Sequence, residues 1–247
     1  MILNEIGKVI TDAEILHRGW ISRQGFIFTG ITYPANIYDA ILIKHPQDVR
    51  CFSPVIKESS HNLEEQIELI NREKIEKAMI IAENIDFITK CPTLRYLRII
   101  PAENAGDGFD YSPLYEMPEI KSLQCSTVYG AGERFFTELD CERITGLQDI
   151  HVTSRGYRNY KKISTLKSLE LSGSNELPDL SFLKTMKSLK TFVFNMNVKD
   201  GNLSLCTGLS YVYSERNRKH YNLKNTELPK GQYVRGNEGI EVWRRCE

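Results

Sequence analysis

Histidine, cysteine and clustered carboxylates do chemistry most readily, and their spacing decides what they can do. The histidines of this 247-residue chain are His17, His45, His61, His151 and His220. A metal site legible in sequence has ligands a few residues apart on one turn or strand. No two histidines stand so, and no cysteine joins one at that spacing. No phosphate-cradling P-loop and no G-x-S-x-G nucleophile turn occurs. Gly130-Ala-Gly132 lacks the third glycine of a dinucleotide loop and reads as a turn. Gly106-Asp-Gly108-Phe-Asp110 opens like a calcium loop but lacks the remaining carboxylates, so it reads as a flexible connection. The expectation is a chain without metal, without cofactor and without an enzyme's catalytic set.

Six cysteines stand at Cys51, Cys91, Cys125, Cys141, Cys206 and Cys246, with no close pair. The first eight residues carry an early acid and no long apolar core, unlike a secretory leader. Reduced thiols in a cytoplasmic protein are therefore expected. Arg155, Arg158, Lys161, Lys162 and Lys167 form a basic run that includes Tyr157 and Tyr160. It is either a phosphate-binding patch or a solvated turn. Lys and Arg total 32 and Asp and Glu total 32, so the formal charge is zero. That balance favours the turn and argues against a nucleic-acid partner. No apolar run approaches the ~18 residues of a membrane span, so no membrane association is expected. Hydrophobic residues at 41% and charged residues at 26% fit an ordinary globular chain.

The elements that would position these residues follow from a repeat. Leu94-Arg-Tyr-Leu-Arg-Ile99 aligns with Ile120-Lys-Ser-Leu-Gln-Cys125, Leu147-Gln-Asp-Ile-His-Val152 and Leu166-Lys-Ser-Leu-Glu-Leu171. Leu189-Lys-Thr-Phe-Val-Phe194 and Leu209-Ser-Tyr-Val-Tyr-Ser214 complete the series. The shared pattern is L-x-x-L-x-L, at successive intervals of 26, 27, 19, 23 and 20 residues. Three residues before each start stand Cys91, Met117, Ile144, Ile163, Met186 and Cys206. Six before stand Ile88, Leu114, Cys141, Tyr160, Leu183 and Leu203. Spacing of three suits a short helix or 3₁₀ turn, and the L-x-L alternation suits a strand. One such unit cannot bury its apolar side alone, so neighbours must stack.

Over roughly residues 69–217 the chain resembles the leucine-rich repeat family, whose intervals are about 20–29 residues. The resemblance implies an α/β leucine-rich repeat solenoid: a curved parallel sheet with short helices or 3₁₀ turns on the convex side. The family's asparagine position holds Ala102, Val128, Arg155, Ser174, Asn197 and Asn217 here, so the asparagine ladder is incomplete. Ile75–Ile80 reads as an earlier strand.

Residues 1–62 do not follow the repeat and read as an N-terminal α/β cap region, with 63–217 as repeats and 218–247 as a C-terminal cap. Trp20-Ile21 and Phe26–Phe28 flank Ser-Arg-Gln-Gly as a hairpin, and Asp39–Ile43 reads as a strand. Leu63, Ile67 and Ile70 share one helical face, with Asn62 as its cap. Leu228-Pro-Lys-Gly231 and Gly239–Trp243 read as a turn and short strands, with Tyr233 and Trp243 closing the end. The stretch 218–224 followed by Leu228–Gly231 looks like the tail of bacterial leucine-rich repeat proteins, some of which resemble immunity partners of secreted toxins.

With the leucines inward, the intervening residues face out. One outward column reads Met79, Arg98, Gln124, His151, Glu170, Val193 and Tyr213. Its neighbour reads Tyr96, Ser122, Asp149, Ser168, Thr191 and Tyr211. Tyrosine and arginine are frequent interface anchors. Tyr96, Arg98, Gln124, Asp149, His151, Glu170, Tyr211 and Tyr213 are the expected contacts to another protein, such as a toxin. The competing expectation is an enzyme or small-molecule binder with its site on the N-terminal region and adjoining sheet.

Overall fold

The computed structural model describes residues 20–23, 26–29, 40–43, 63–72, 74, 76–82, 84–101, 109–117, 119–125, 138–153, 156–173, 176–214 and 216–231. Apolar residues three apart along this chain become hydrogen-bonded partners. The Cys91 amide donates to the Ile88 carbonyl at 2.9 Å, and the Leu94 amide to the Cys91 carbonyl at 3.1 Å. Ile144 donates to Cys141 and Leu147 to Ile144; Cys206 donates to Leu203 and Leu209 to Cys206. These i-to-i+3 bonds build 3₁₀ turns at Asp86–Lys90, Ser112–Glu116, Cys141–Arg143, Tyr160–Lys162, Ser181–Lys184 and Ser204–Gly208. A 3₁₀ turn has three residues per turn, so positions i and i+3 eclipse and point one way. Here they point inward. All twelve of these positions are buried except the half-buried Tyr160.

The chain divides into two compact units. The first holds residues 1–120, 126–137 and 240–247. There β1 (Trp20–Arg23) and β2 (Phe26–Thr29) form the expected antiparallel hairpin. β3 (Ala40–Ile43), β4 (Lys77–Ala82) and β5 (Tyr96–Pro101) pair in parallel, with Ala78 opposite Leu97 and Ile80 opposite Ile99. Helix α1 (Leu63–Arg72) buries Ile67 and Ile70, as the helical spacing predicts. Its end is tied down by Asn71 Nδ2, which donates to the Lys90 carbonyl at 2.9 Å.

The second unit holds residues 121–125 and 138–239. Its parallel sheet runs β6 (Ser122–Cys125), β8 (Asp149–Thr153), β10 (Ser168–Ser172), β12 (Thr191–Phe194), β14 (Tyr211–Ser214). Its register aligns Leu123, Ile150, Leu169, Phe192 and Val212 in one row, all buried. Phe192 stacks on Phe194 at 4.8 Å between ring centres and meets Phe182 edge-on at 6.2 Å. After the main strands come two-residue ladders that spacing did not disclose. β7 (Leu139–Asp140) pairs with β9 (Tyr157–Arg158), and β11 (Glu176–Leu177) with β13 (Asn197–Val198), both in parallel.

The free edge of β14 is covered. The Val212 amide donates to the Pro229 carbonyl and the Gly231 amide to the Ser210 carbonyl. Lys230 Nζ adds a bond to the Val212 carbonyl at 2.8 Å. The Leu228–Gly231 segment thus satisfies groups that would otherwise template another strand. Tyr233 and Trp243, expected at this end, lie outside the described residues, as do Cys51, Cys246, Asn62, Gly130 and the 102–108 connection. Among the described residues no helix is long and apolar enough to cross a membrane.

Candidate functional site

The sheet of the second unit has one apolar face and one mixed face, because side chains alternate along a strand. The mixed face carries the two expected columns in register. Ser122, Asp149, Ser168, Thr191 and Tyr211 lie side by side, and Gln124, His151, Glu170, Val193 and Tyr213 lie two residues further along. Neighbouring strands are about 4.8 Å apart, so each row is a continuous line of contacts.

Those contacts are made by side chains. Ser122 Oγ donates to Asp149 Oδ2 at 2.6 Å. Gln124 Nε2 and His151 Nδ1 are 2.8 Å apart, and His151 Nε2 and Ser172 Oγ are 2.8 Å apart. Glu170 Oε1 lies 3.5 Å from the same Nε2. With the Gln124 amide donating to Nδ1, the neutral ring carries its proton on Nε2 and donates to Ser172. The arrangement links side chains of three adjacent strands.

At the other end of the face stand the tyrosines. Lys230 Nζ lies 4.9 Å from the Tyr213 ring centre and 5.6 Å from that of Tyr211. The same ammonium binds the Val212 carbonyl and Asn225 Oδ1, so the tyrosines are held by a lysine that is itself anchored. Asn225 Oδ1 also accepts from the Ser214 amide at 3.0 Å.

The outward columns are less open than alternation predicts. Gln124, His151, Glu170, Tyr211 and Tyr213 are partly exposed, whereas Asp149, Ser168, Thr191 and Val193 are buried. Ser168 and Thr191 stand in line between Asp149 and Tyr211. Tyr96 and Arg98 belong to β5 in the first unit. Tyr96 is buried, and only the main chain of Arg98 is described. The second unit therefore brings together Gln124, Asp149, His151, Glu170, Tyr211 and Tyr213.

Other candidates resolve into structure. Arg158 pairs with Asp140 at 3.1 Å and approaches Glu138 at 3.9 Å, and Lys162 approaches Glu142 at 3.6 Å. Lys161 Nζ lies over the Phe182 ring at 5.1 Å. Arg158, Lys161 and Lys162 of the basic run are thus paired or packed. Bonds from Asn159, and then from Arg158 and the Glu142 amide, hold the Asp140 carboxyl below its usual range. Asp110, suggestive of calcium in sequence, accepts from the Ser112 amide and hydroxyl at 2.8 and 2.6 Å at the start of the following turn. Among the described residues no group of three His, Cys, Asp or Glu side chains is placed to hold a metal ion.

Three residues whose partners spacing does not disclose tie down the main chain at and beyond the strand ends. Tyr157 Oη accepts from the Cys125 amide at 2.9 Å and donates to the Cys125 carbonyl. It fixes the end of β6 just beyond Gln124. Tyr221 Oη likewise accepts from the Val198 amide and donates to the Met196 carbonyl. Asn195 Oδ1 accepts from the Gly173 amide at 2.8 Å, one residue past Ser172. The asparagine doing this work is Asn195, not the expected Asn197, whose Nδ2 instead donates to Glu176.

No family model matches this sequence, and no curated protein shows significant similarity to it.

Proposed function

We propose that this chain is a leucine-rich repeat solenoid working as a non-catalytic protein-binding module, with the mixed face of the second unit as its contact surface. The observation that carries this reading is the hydrogen-bonded row Gln124–His151–Ser172 beside Glu170, ending in Tyr213. Side chains already fixed before binding lose little freedom on association. Tyrosines at the end of the row supply rigid, amphipathic contact area. The most concrete version is a cytoplasmic bacterial immunity protein whose partner is a toxin, in keeping with the resemblance of its tail.

The test is affinity for a partner captured from the source cell and then purified. The triple variant His151→Ala, Glu170→Gln, Tyr213→Ala should weaken binding at least tenfold, about 1.4 kcal/mol. Its thermal transition should remain cooperative, since the row lies outside the buried core. Unchanged affinity with an intact fold would remove this face from the contact. If the partner is a toxin, the variant should also fail to protect cells expressing it.

A further inference from the structure

We propose that the Gln124–His151–Glu170 end of the mixed face receives a basic segment of the partner, and that protonation of His151 releases it. The proposal rests on the protein-binding reading above and adds to it the partner's chemistry and its control by pH.

The two columns place Asp149 and Glu170 on this face of the second unit, and no lysine or arginine. Lys230 lies against the tyrosines of β14, at the other end of the row. Asp149 is buried and accepts from Ser122. Glu170 is partly exposed beside the His151 ring. Gln124 uses its Nε2 on that ring, and its Oε1 makes no hydrogen bond among the described residues. This end therefore carries an acceptor and a carboxylate, the groups to which guanidinium and ammonium donate. They stand two strands apart, roughly 10 Å. Adjacent basic side chains on one extended segment reach both.

His151 stands between them and bears on each. In the neutral form the Gln124 amide donates to Nδ1, and Nε2 faces the Ser172 hydroxyl at 2.8 Å. A protonated imidazole donates from both nitrogens. The Gln124 amide must then turn half a revolution about its last torsion, so that Oε1 accepts from Nδ1. Its shape is unchanged, but the group left for the partner is now a donor. At the same time the positive ring stands 3.5 Å from Glu170 Oε1 and offsets its charge. A basic segment loses its acceptor and its counter-charge together. Register places two charged groups around the ring, Glu170 on β10 and Asp149 on its own strand, while Ser122 and Gln124 on β6 carry no charge. Histidine changes charge between about pH 5 and 8, whereas arginine stays charged throughout, so the release belongs to this chain.

The experiment uses the isotope-labelled full chain and an acetylated triarginine amide, read by NMR. At about pH 7.5 the peptide should shift the Gln124 side-chain amide, and Glu170→Gln should weaken its binding at least about tenfold. Between about pH 7.5 and 5.5 the native chain should lose at least about tenfold in affinity, while His151→Gln should bind alike at both. Without peptide, the Gln124 amide signals should move with the same midpoint as the His151 ring. A Gln124 amide unmoved by the peptide, or tighter binding of a triglutamate peptide, would overturn the partner's chemistry. Equal pH dependence in His151→Gln, or a Gln124 amide that ignores the ring's titration, would overturn the release. None of these readouts uses the captured partner, so their failure is distinguishable from failure of the contact face.

Discussion

Cys91, Cys141 and Cys206 sit in the eclipsed apolar positions of their 3₁₀ turns, and burial pushes each thiol up to about 12. Cys125, on β6, is pushed well above its ordinary value by the same cause, with Cys141 nearby adding to it. All four are free. The thiolate is the reactive form of cysteine, so these groups are packing atoms at neutral pH. Alkylation of the native protein at pH 8, read by mass spectrometry of its peptides, should leave all four unmodified. Denaturant should expose them together. Labelling of Cys141 or Cys206 in the folded protein would show that its turn does not close as described. Their place in the apolar columns was legible in the sequence because spacing alone put them there. Tyr157 was not. Its hydroxyl meets Cys125 across 32 residues, and nothing local marks a tyrosine whose partner is a distant main-chain group. The same holds for Tyr221 and Asn195.

At the level of elements, the spacing of three and the alternation of two predicted the 3₁₀ turns, the strands and their register. Each rule reflects a geometry that repeats along the chain. The two-residue ladders β7–β9 and β11–β13 are too short to show any period, which is why they appear only in the fold. The entries to the turns follow a local rule. Asp110, Asp140, Asp179 and Asn202 each accept from the amide two residues on. Gly201 marks another such point. Its φ is +69°, and a Cβ there would collide with the His220 carbonyl oxygen. Strand β10 offers the sharpest test of the packing. Leu169 is fully buried between Ile150 and Phe192. Leu169→Ala should lower unfolding free energy by about 2–5 kcal/mol in chemical denaturation. A loss below about 0.5 kcal/mol would mean that the row is not a packed core.

On the scale of the molecule, zero net charge hides an uneven surface. The mixed face gathers polar side chains already bonded to one another, while the turns leading into β10 and β12 carry Lys161, Lys162, Lys167, Lys184, Lys187 and Lys190. The first arrangement was half legible. Register gave the right neighbours, but alternation along the strands does not disclose that Asp149, Ser168, Thr191 and Val193 are buried. In the proposed complex the mixed face meets the partner directly. Placing a photo-crosslinking amino acid at Gln124, and separately at Lys199, tests it with the captured partner present. Illumination should join the partner covalently to the chain from position 124 and not from position 199. A product from position 199 alone would contradict the account.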